Sequence, residues 1–168
     1  AKNLLLVTPD AEEKISVKGV VDSFTGCAGQ RCMAASLLIA VGPVDHLIDK
    51  IAAHAKQMVL GEQMGAIIDK ASLVRINSAI EQAEKDGAKI IVDGRKAVPP
   101  SGFKDGNWMG PTIIDHAKPD WHCSTFEIFG PVITIVRVKT LSEAMALEAK
   151  TTYGNATSVF TTSGAVAK

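Results

Sequence analysis

At 168 residues the chain is about one domain, long enough to bury a core of its own. Eighteen basic and eighteen acidic residues cancel to a net charge of zero, which excludes the one-sided field that nucleic acid or an anionic membrane selects. Three cysteines without paired spacing argue against a disulfide framework and for a reducing compartment, cytosol or matrix, and no apolar run approaches the ~20 residues of a membrane span.

Leu4 to Val7 is a short apolar run closed by Thr8-Pro9-Asp10 and predicts a strand and turn. The opening Ala1-Lys2-Asn3, without an initiator methionine, leads at once into this run, and the chain is expected to be a piece of something longer. Acids at Asp10, Glu12 and Glu13 start a helix on which Val17, Val20, Val21 and Phe24 recur at helical spacing. That helix runs into a glycine-broken loop, Gly26 to Ser36, carrying Cys27 and Cys32, and the loop gives way to a buried strand, Leu37 to Val41.

The two cysteines read differently. Cys27, three residues after Phe24, falls on the end of the helix and is expected to pack in the core as a small hydrophobe. Cys32 follows a polar Gln30-Arg31 pair and is expected to be partly exposed. Arg31 places a permanent cation beside it, and Gly26 and Gly29 let backbone approach a ligand closely, both of which suit a nucleophilic thiol.

Beyond Gly42-Pro43, Leu47, Ile48, Ile51, Ala52 and Ala55 form the stripe of a second helix, with His46 and His54 outside it. Gly61 to Gly65 is a loop. Leu73, Ile76, Ile80 and Ala83 mark a third helix capped by Asp86-Gly87, and Lys89 to Val92 is a strand. Residues 93–110 are punctuated by glycine and proline and predict a surface excursion anchored by Trp108. Pro111 to Ile114 is a strand. His116, His122 and Cys123 have no fourth ligand at recognisable spacing, so no metal site is expected. Val132 to Val138, rich in β-branched residues, predicts a central strand. Thr140 and Glu143 have the form of a capping box before a helix bearing Ala144, Met145, Leu147 and Ala149, and Ser158 to Thr162 is a last strand. Helices alternating with apolar strands predict a three-layer α/β domain whose sheet is mostly parallel.

Gly29-Gln30-Arg31-Cys32-Met33-Ala34 resembles the active-site cysteine motif of the aldehyde dehydrogenase superfamily. Arginine before the cysteine, with Ser36 following, is most similar to the malonate and methylmalonate semialdehyde dehydrogenases. Glu127-Ile128-Phe129-Gly130-Pro131-Val132, Gly110-Pro111-Thr112-Ile113-Ile114 and Tyr153-Gly154-Asn155 with Val159-Phe160-Thr161-Thr162 resemble further family segments, so the likeness runs along nearly the whole chain. It implies the three-layer catalytic domain of that family, filling residues 1–168 as a single unit without the dinucleotide-binding domain or the C-terminal oligomerisation tail. The sequence agrees in having no Gly-x-Gly-x-x-Gly loop. The family carries a proline where Ala66 stands, which puts the shape of that loop in question.

The resemblance implies a catalytic Cys32 that attacks an aldehyde, NAD as hydride acceptor held mainly by a domain outside these residues, and coenzyme A as the co-substrate that takes the acyl group. It implies that Glu127 accepts the hydroxyls of the nicotinamide ribose and that Phe129 lines the nicotinamide. On residues alone, the Glu127 to Pro131 turn does no more than introduce a strand, with Phe129 in the core. Arg31 matches the carboxylate of a semialdehyde substrate, and activation of the thiol explains it equally well. The Cys32 backbone N–H is a candidate oxyanion donor. The expected protein is a homo-oligomer of cytoplasm, or of the mitochondrial matrix in a eukaryote, acting on small molecules and inactive as the isolated 168 residues. A hydrolytic aldehyde dehydrogenase giving a free acid, a non-catalytic remnant with a redox-sensitive thiol, and a cysteine hydrolase using His122 are the alternatives.

Overall fold

A computed structural model describes all 168 residues. Six strands, β1 (Asn3–Val7), β2 (Ala35–Val41), β3 (Lys89–Val92), β4 (Thr112–Asp115), β5 (Val132–Val138) and β6 (Thr157–Phe160), form one sheet in the order β3-β4-β5-β2-β1-β6. Every neighbouring pair is parallel except β3 with β4. The mostly parallel sheet and the central place of β5 are as the sequence predicts, because β2 and β5 are dominated by apolar and β-branched residues buried on both faces.

Residues of alternate parity serve opposite faces. Leu5, Val7, Leu38, Ala40, Ile113, Ile133 and Ile135 join the core beneath α1 (Glu13–Thr25) and α2 (Asp45–Lys56). Leu4, Leu6, Leu37, Ile39, Ile114, Val132 and Val136 join a second core beneath α3 (Lys70–Asp86), with the short α4 (His122–Thr125) and α5 (Leu141–Glu148) on the same side. This is the period of two that a strand imposes, and it produces three layers.

The helix ends follow from local chemistry. The Glu12 carboxylate accepts from the N–H groups of Lys14 and Ile15, and Asp69 accepts from Ser72, at 2.6 Å in the closer contacts. Gly87, at φ 103°, ends α3 in the left-handed conformation expected of it. Thr140 caps α5 through the Glu143 N–H, while the Glu143 carboxylate reaches one residue further back than in a standard box, to the Lys139 N–H at 2.7 Å. Of the four apolar residues expected on α5 only Ala144 is fully buried, and Met145 is exposed.

β1 and β2 begin earlier than their apolar runs, at Asn3 and Ala35, and two strand ends shift. β4 runs one residue later than read, to Asp115, because Asp115 is held by the Arg137 guanidinium at 2.8 and 3.0 Å. β6 ends at Phe160, earlier than Thr162, because the Asp10 carboxylate draws Thr161, Thr162 and Ser163 into a turn at 2.7–3.0 Å. The Thr8 hydroxyl, followed by the Thr161 hydroxyl and the Thr162 N–H and hydroxyl, holds the Asp10 carboxyl well below the usual carboxylate range. The excursion at 93–110 is anchored by Trp108 as expected, its indole N–H donating to the Phe103 carbonyl at 2.7 Å.

Candidate active site

Cys32 stands on a turn just before β2, with Arg31, Cys32 and Met33 all exposed. The expectation for Cys27 is overturned: it is exposed, not in the core. The helix stops at Thr25, Gly26 leaves helical geometry at ψ 127°, and Cys27 then takes φ 52°, which swings its side chain outward and puts Ala28 into the buried place.

The glycines of the loop work differently from the sequence reading. Gly29, at φ 67°, does not meet a ligand; a Cβ there would lie 2.0 Å from the Gly130 carbonyl oxygen and 2.9 Å from that of Phe24. Its missing side chain lets the cysteine loop and the Glu127–Pro131 turn touch backbone to backbone. Gly26 makes room for Arg31, whose guanidinium would sit 2.5 Å from an added Cβ.

Arg31 reaches back to the carbonyls of Asp22 and Ser23 at 3.4 and 3.2 Å through Nη2, at the electronegative end of α1. Nη1 and Nε have no acceptor in the chain. The neighbouring Gln30 fastens the loop to the segment before α3, donating to Ala66 O at 3.2 Å and accepting from Ile68 N at 2.9 Å. Ala66 therefore has a defined place through its carbonyl, without the family's proline.

The turn carrying Glu127 and Phe129 lies across the Gly29 contact. Phe129 is 38% exposed with φ 57°, so the alternative that places it in the core fails. The Glu127 side chain is one-third exposed and accepts from the Ala1 amino group. The turn is held from behind by Arg75 of α3, which donates to the Ile128 carbonyl, and Gly130 sits so close to Ile76 that an added Cβ would fall 2.5 Å from Cδ1. Beneath it, Lys2 is 2% exposed and donates to Cys123 O at 2.7 Å; burial pushes its ammonium down to about 7. Cys123 is buried, and burial raises its thiol.

Residue types alone did not reveal Asn3 and Asn155. Both donate to the Cys32 carbonyl at 2.6 Å, Asn3 from the first position of β1 and Asn155 from the turn before β6. The available signal was a buried amide at the head of an otherwise apolar strand. His122 stacks on Phe126 at 4.6 Å and makes no hydrogen bond to Cys32. No group of three or more His, Cys, Asp or Glu side chains is arranged to hold a metal ion, and no helix is long and apolar enough to cross a membrane.

The assembled features are an exposed thiol, free backbone donors, a half-buried carboxylate and an exposed aromatic ring at one end of the strands, an arrangement suited to covalent capture of a carbonyl compound beside a bound planar group. The human methylmalonate-semialdehyde/malonate-semialdehyde dehydrogenase [acylating], mitochondrial, is 38% identical over all of this chain and 32% of its own length. The methylmalonate-semialdehyde dehydrogenase of Oceanimonas doudoroffii superposes with a TM-score of 0.94 at 36% identity, and a Sinorhizobium meliloti chain solved in complex with NAD with a TM-score of 0.94 at 34% identity; each match covers 99% of this chain, and 36% and 35% of the respective structures. The chain thus spans about a third of the length of the relatives it matches. The aldehyde dehydrogenase family model matches residues 1–168, and the chain belongs to the aldehyde dehydrogenase family.

Proposed function

We propose that this chain carries the nucleophile half of the active site of an NAD-dependent semialdehyde dehydrogenase that passes its acyl group to coenzyme A. The observation that carries the reading is the backbone contact of Gly29 with Gly130, which sets the Cys32 loop against the Glu127–Phe129 turn. The malonate and methylmalonate semialdehyde activities of the similar proteins, and NAD in the Sinorhizobium meliloti structure, support it. Residues 1–168 then act as one catalytic domain, completed in a longer, oligomeric enzyme of the cytoplasm or matrix.

In this mechanism the Cys32 sulfur adds to the aldehyde carbon, and negative charge develops on the aldehyde oxygen. The Cys32 N–H has no acceptor within the chain and is free to donate to that oxygen. Arg31, with Nη1 and Nε free of acceptors in the chain, offers its guanidinium to the distal carboxylate of the substrate. The residues present fit the nicotinamide end of a dinucleotide: Glu127 would offer its carboxylate to the ribose hydroxyls, and Phe129 an exposed flat face. NAD, when bound, supplies the hydride acceptor. The acyl group left on the Cys32 sulfur as a thioester is then transferred to the thiol of coenzyme A, freeing Cys32.

Brief iodoacetamide treatment followed by mass mapping tests the assignment. Cys32 is expected to label first, ahead of exposed Cys27 and far ahead of buried Cys123. Prior labelling of either of the others refutes it.

A further inference from the structure

The Cys32 carbonyl is gripped from two strands. Asn3 Nδ2 donates to it at 2.6 Å and also to Ala34 O at 2.9 Å, while Asn3 Oδ1 accepts from Ala156 N at 3.1 Å. Asn155 Nδ2 supplies a second donor to the same oxygen at 2.6 Å. Both lone pairs of that oxygen are thereby used, which fixes the plane of the Cys32–Met33 peptide. Asn3 is 3% exposed and belongs to the core of the sheet. Asn155 is different: it is exposed and adopts φ 101°, a conformation in which glycine is cheaper than any residue with a side chain. A side chain kept at a strained position calls for a use, and the bond to Cys32 O is the one bond its amide donates.

The peptide is trans, so its N–H points opposite to its carbonyl. With the Cys32 carbonyl held against the two asparagines, the Met33 N–H faces away from them, and it has no acceptor in the chain. Two donors on the carbonyl also polarise the peptide and strengthen that N–H as a donor.

We infer that Asn155, together with Asn3, is a positioning residue for the nucleophile, holding the Cys32–Met33 peptide so that its N–H is presented to the oxyanion formed when Cys32 attacks a carbonyl. This rests on Cys32 being the nucleophile, as proposed above.

The test compares two reactions of the same thiol in the 168-residue chain. Acylation by p-nitrophenyl acetate forms the S–C bond through a tetrahedral oxyanion and expels p-nitrophenolate. Alkylation by iodoacetamide displaces iodide with no oxyanion. Asn155→Gly relieves the backbone strain and removes the donor; Asn155→Asp keeps shape and tolerates the same backbone but cannot donate to a carbonyl. Both variants are expected to acylate Cys32 about fivefold more slowly, the worth of one ordinary hydrogen bond, with, for Asn155→Gly, alkylation unchanged and no loss in thermal midpoint. The Cys32 carbonyl carbon resonance is expected to move upfield in both. Unchanged acylation in Asn155→Gly, or parallel loss of acylation, alkylation and midpoint, overturns the inference. If the unsubstituted chain labels first at Cys27 or Cys123, the nucleophile assignment itself has failed, before any variant is made.

Discussion

Gly29→Ala is the substitution that acts most directly on the joint between the two halves of the site. The new Cβ would stand 2.0 Å from Gly130 O, 2.4 Å from Gly130 C and 2.9 Å from Phe24 O. All three are backbone atoms, on the Glu127–Pro131 turn and in the last turn of α1, so no side chain can rotate away. The residue also sits at φ 67°, where an L side chain costs roughly 1–2 kcal/mol, and overpacking a close contact adds about 1–3 kcal/mol. The sum is about 2–5 kcal/mol, or roughly 4–20 °C in the melting midpoint of a chain of this length. Relief can come only by parting the cysteine loop from the turn, so Phe129 and Glu127 shift relative to Cys32. Urea and thermal melts of the variant measure the cost, with Gly65→Ala as control, since nothing lies within 4 Å of a Cβ at Gly65. A Gly29→Ala midpoint within about 1 °C of the parent, an effect of at most ~0.5 kcal/mol, would refute the contact as the element that joins the site.

In the complete enzyme, Arg31→Lys keeps the charge and loses the fork, so it should raise KM for a semialdehyde bearing a carboxylate roughly 10-fold or more while leaving propanal nearly unaffected; equal effects on both aldehydes would assign Arg31 to the thiol or to the α1 carbonyls instead. Lys2 supplies a pH dependence. Its folded value of about 7 lies below the ordinary 10.5, so between those values the unfolded chain binds the extra proton and stability rises with pH. The burden is complete below about pH 7 and gone above about 10.5, and the lost bond to Cys123 O is partly covered by the Thr134 hydroxyl at 2.9 Å. Lys2→Met should therefore exceed the parent in stability most at pH 6 and progressively less toward pH 10, and a pH-independent difference in denaturation midpoint would sink this account. Finally, the 168 residues alone should bind NAD no tighter than millimolar by calorimetry and form no NADH with aldehyde and coenzyme A, since the chain lacks a phosphate-binding glycine loop; NADH formation would show that it holds the whole cofactor site.

The elements that were legible in the sequence are those whose periodicity is set by burial. β5 and β3 appear at the residues expected, and all five apolar residues of the α2 stripe are buried. Cys27 was misread because a helical pattern was carried one residue past Gly26, where the backbone turns into the left-handed region. The glycines of the cysteine loop were read as places where backbone nears a ligand; what Gly29 meets instead is Gly130, about a hundred positions away, and no local rule names it. Asn3 was hidden for the same reason. As the first residue of an apolar strand it looks like an edge, and its value comes from Cys32, Ala34 and Ala156, which the sheet alone brings beside it.

Why the site forms at all follows from strand direction. β5, β2, β1 and β6 are consecutive neighbours and mutually parallel, so the four segments leading into them emerge on one edge. Those segments carry Glu127 and Phe129, Cys32, Asn3 and Asn155 in that spatial order. Adjacent strands lie about 4.8 Å apart, so the carboxylate turn is one interval from the cysteine loop, close enough for Gly29 and Gly130 to touch. Asn155 is two intervals away on the other side, about 10 Å, beyond the span of one amide side chain unless the loops lean inward across β1. Asn3 occupies the interval between and binds both neighbours, Cys32 O on one side and Ala156 N on the other. It thereby draws the β6 loop toward the nucleophile and brings the Asn155 amide within reach. The one antiparallel strand, β3, lies at the far edge next to β4 and brings no residue to the site. An antiparallel strand at any of these four places would deliver its loop to the opposite end of the strands, and the constellation would lose a member.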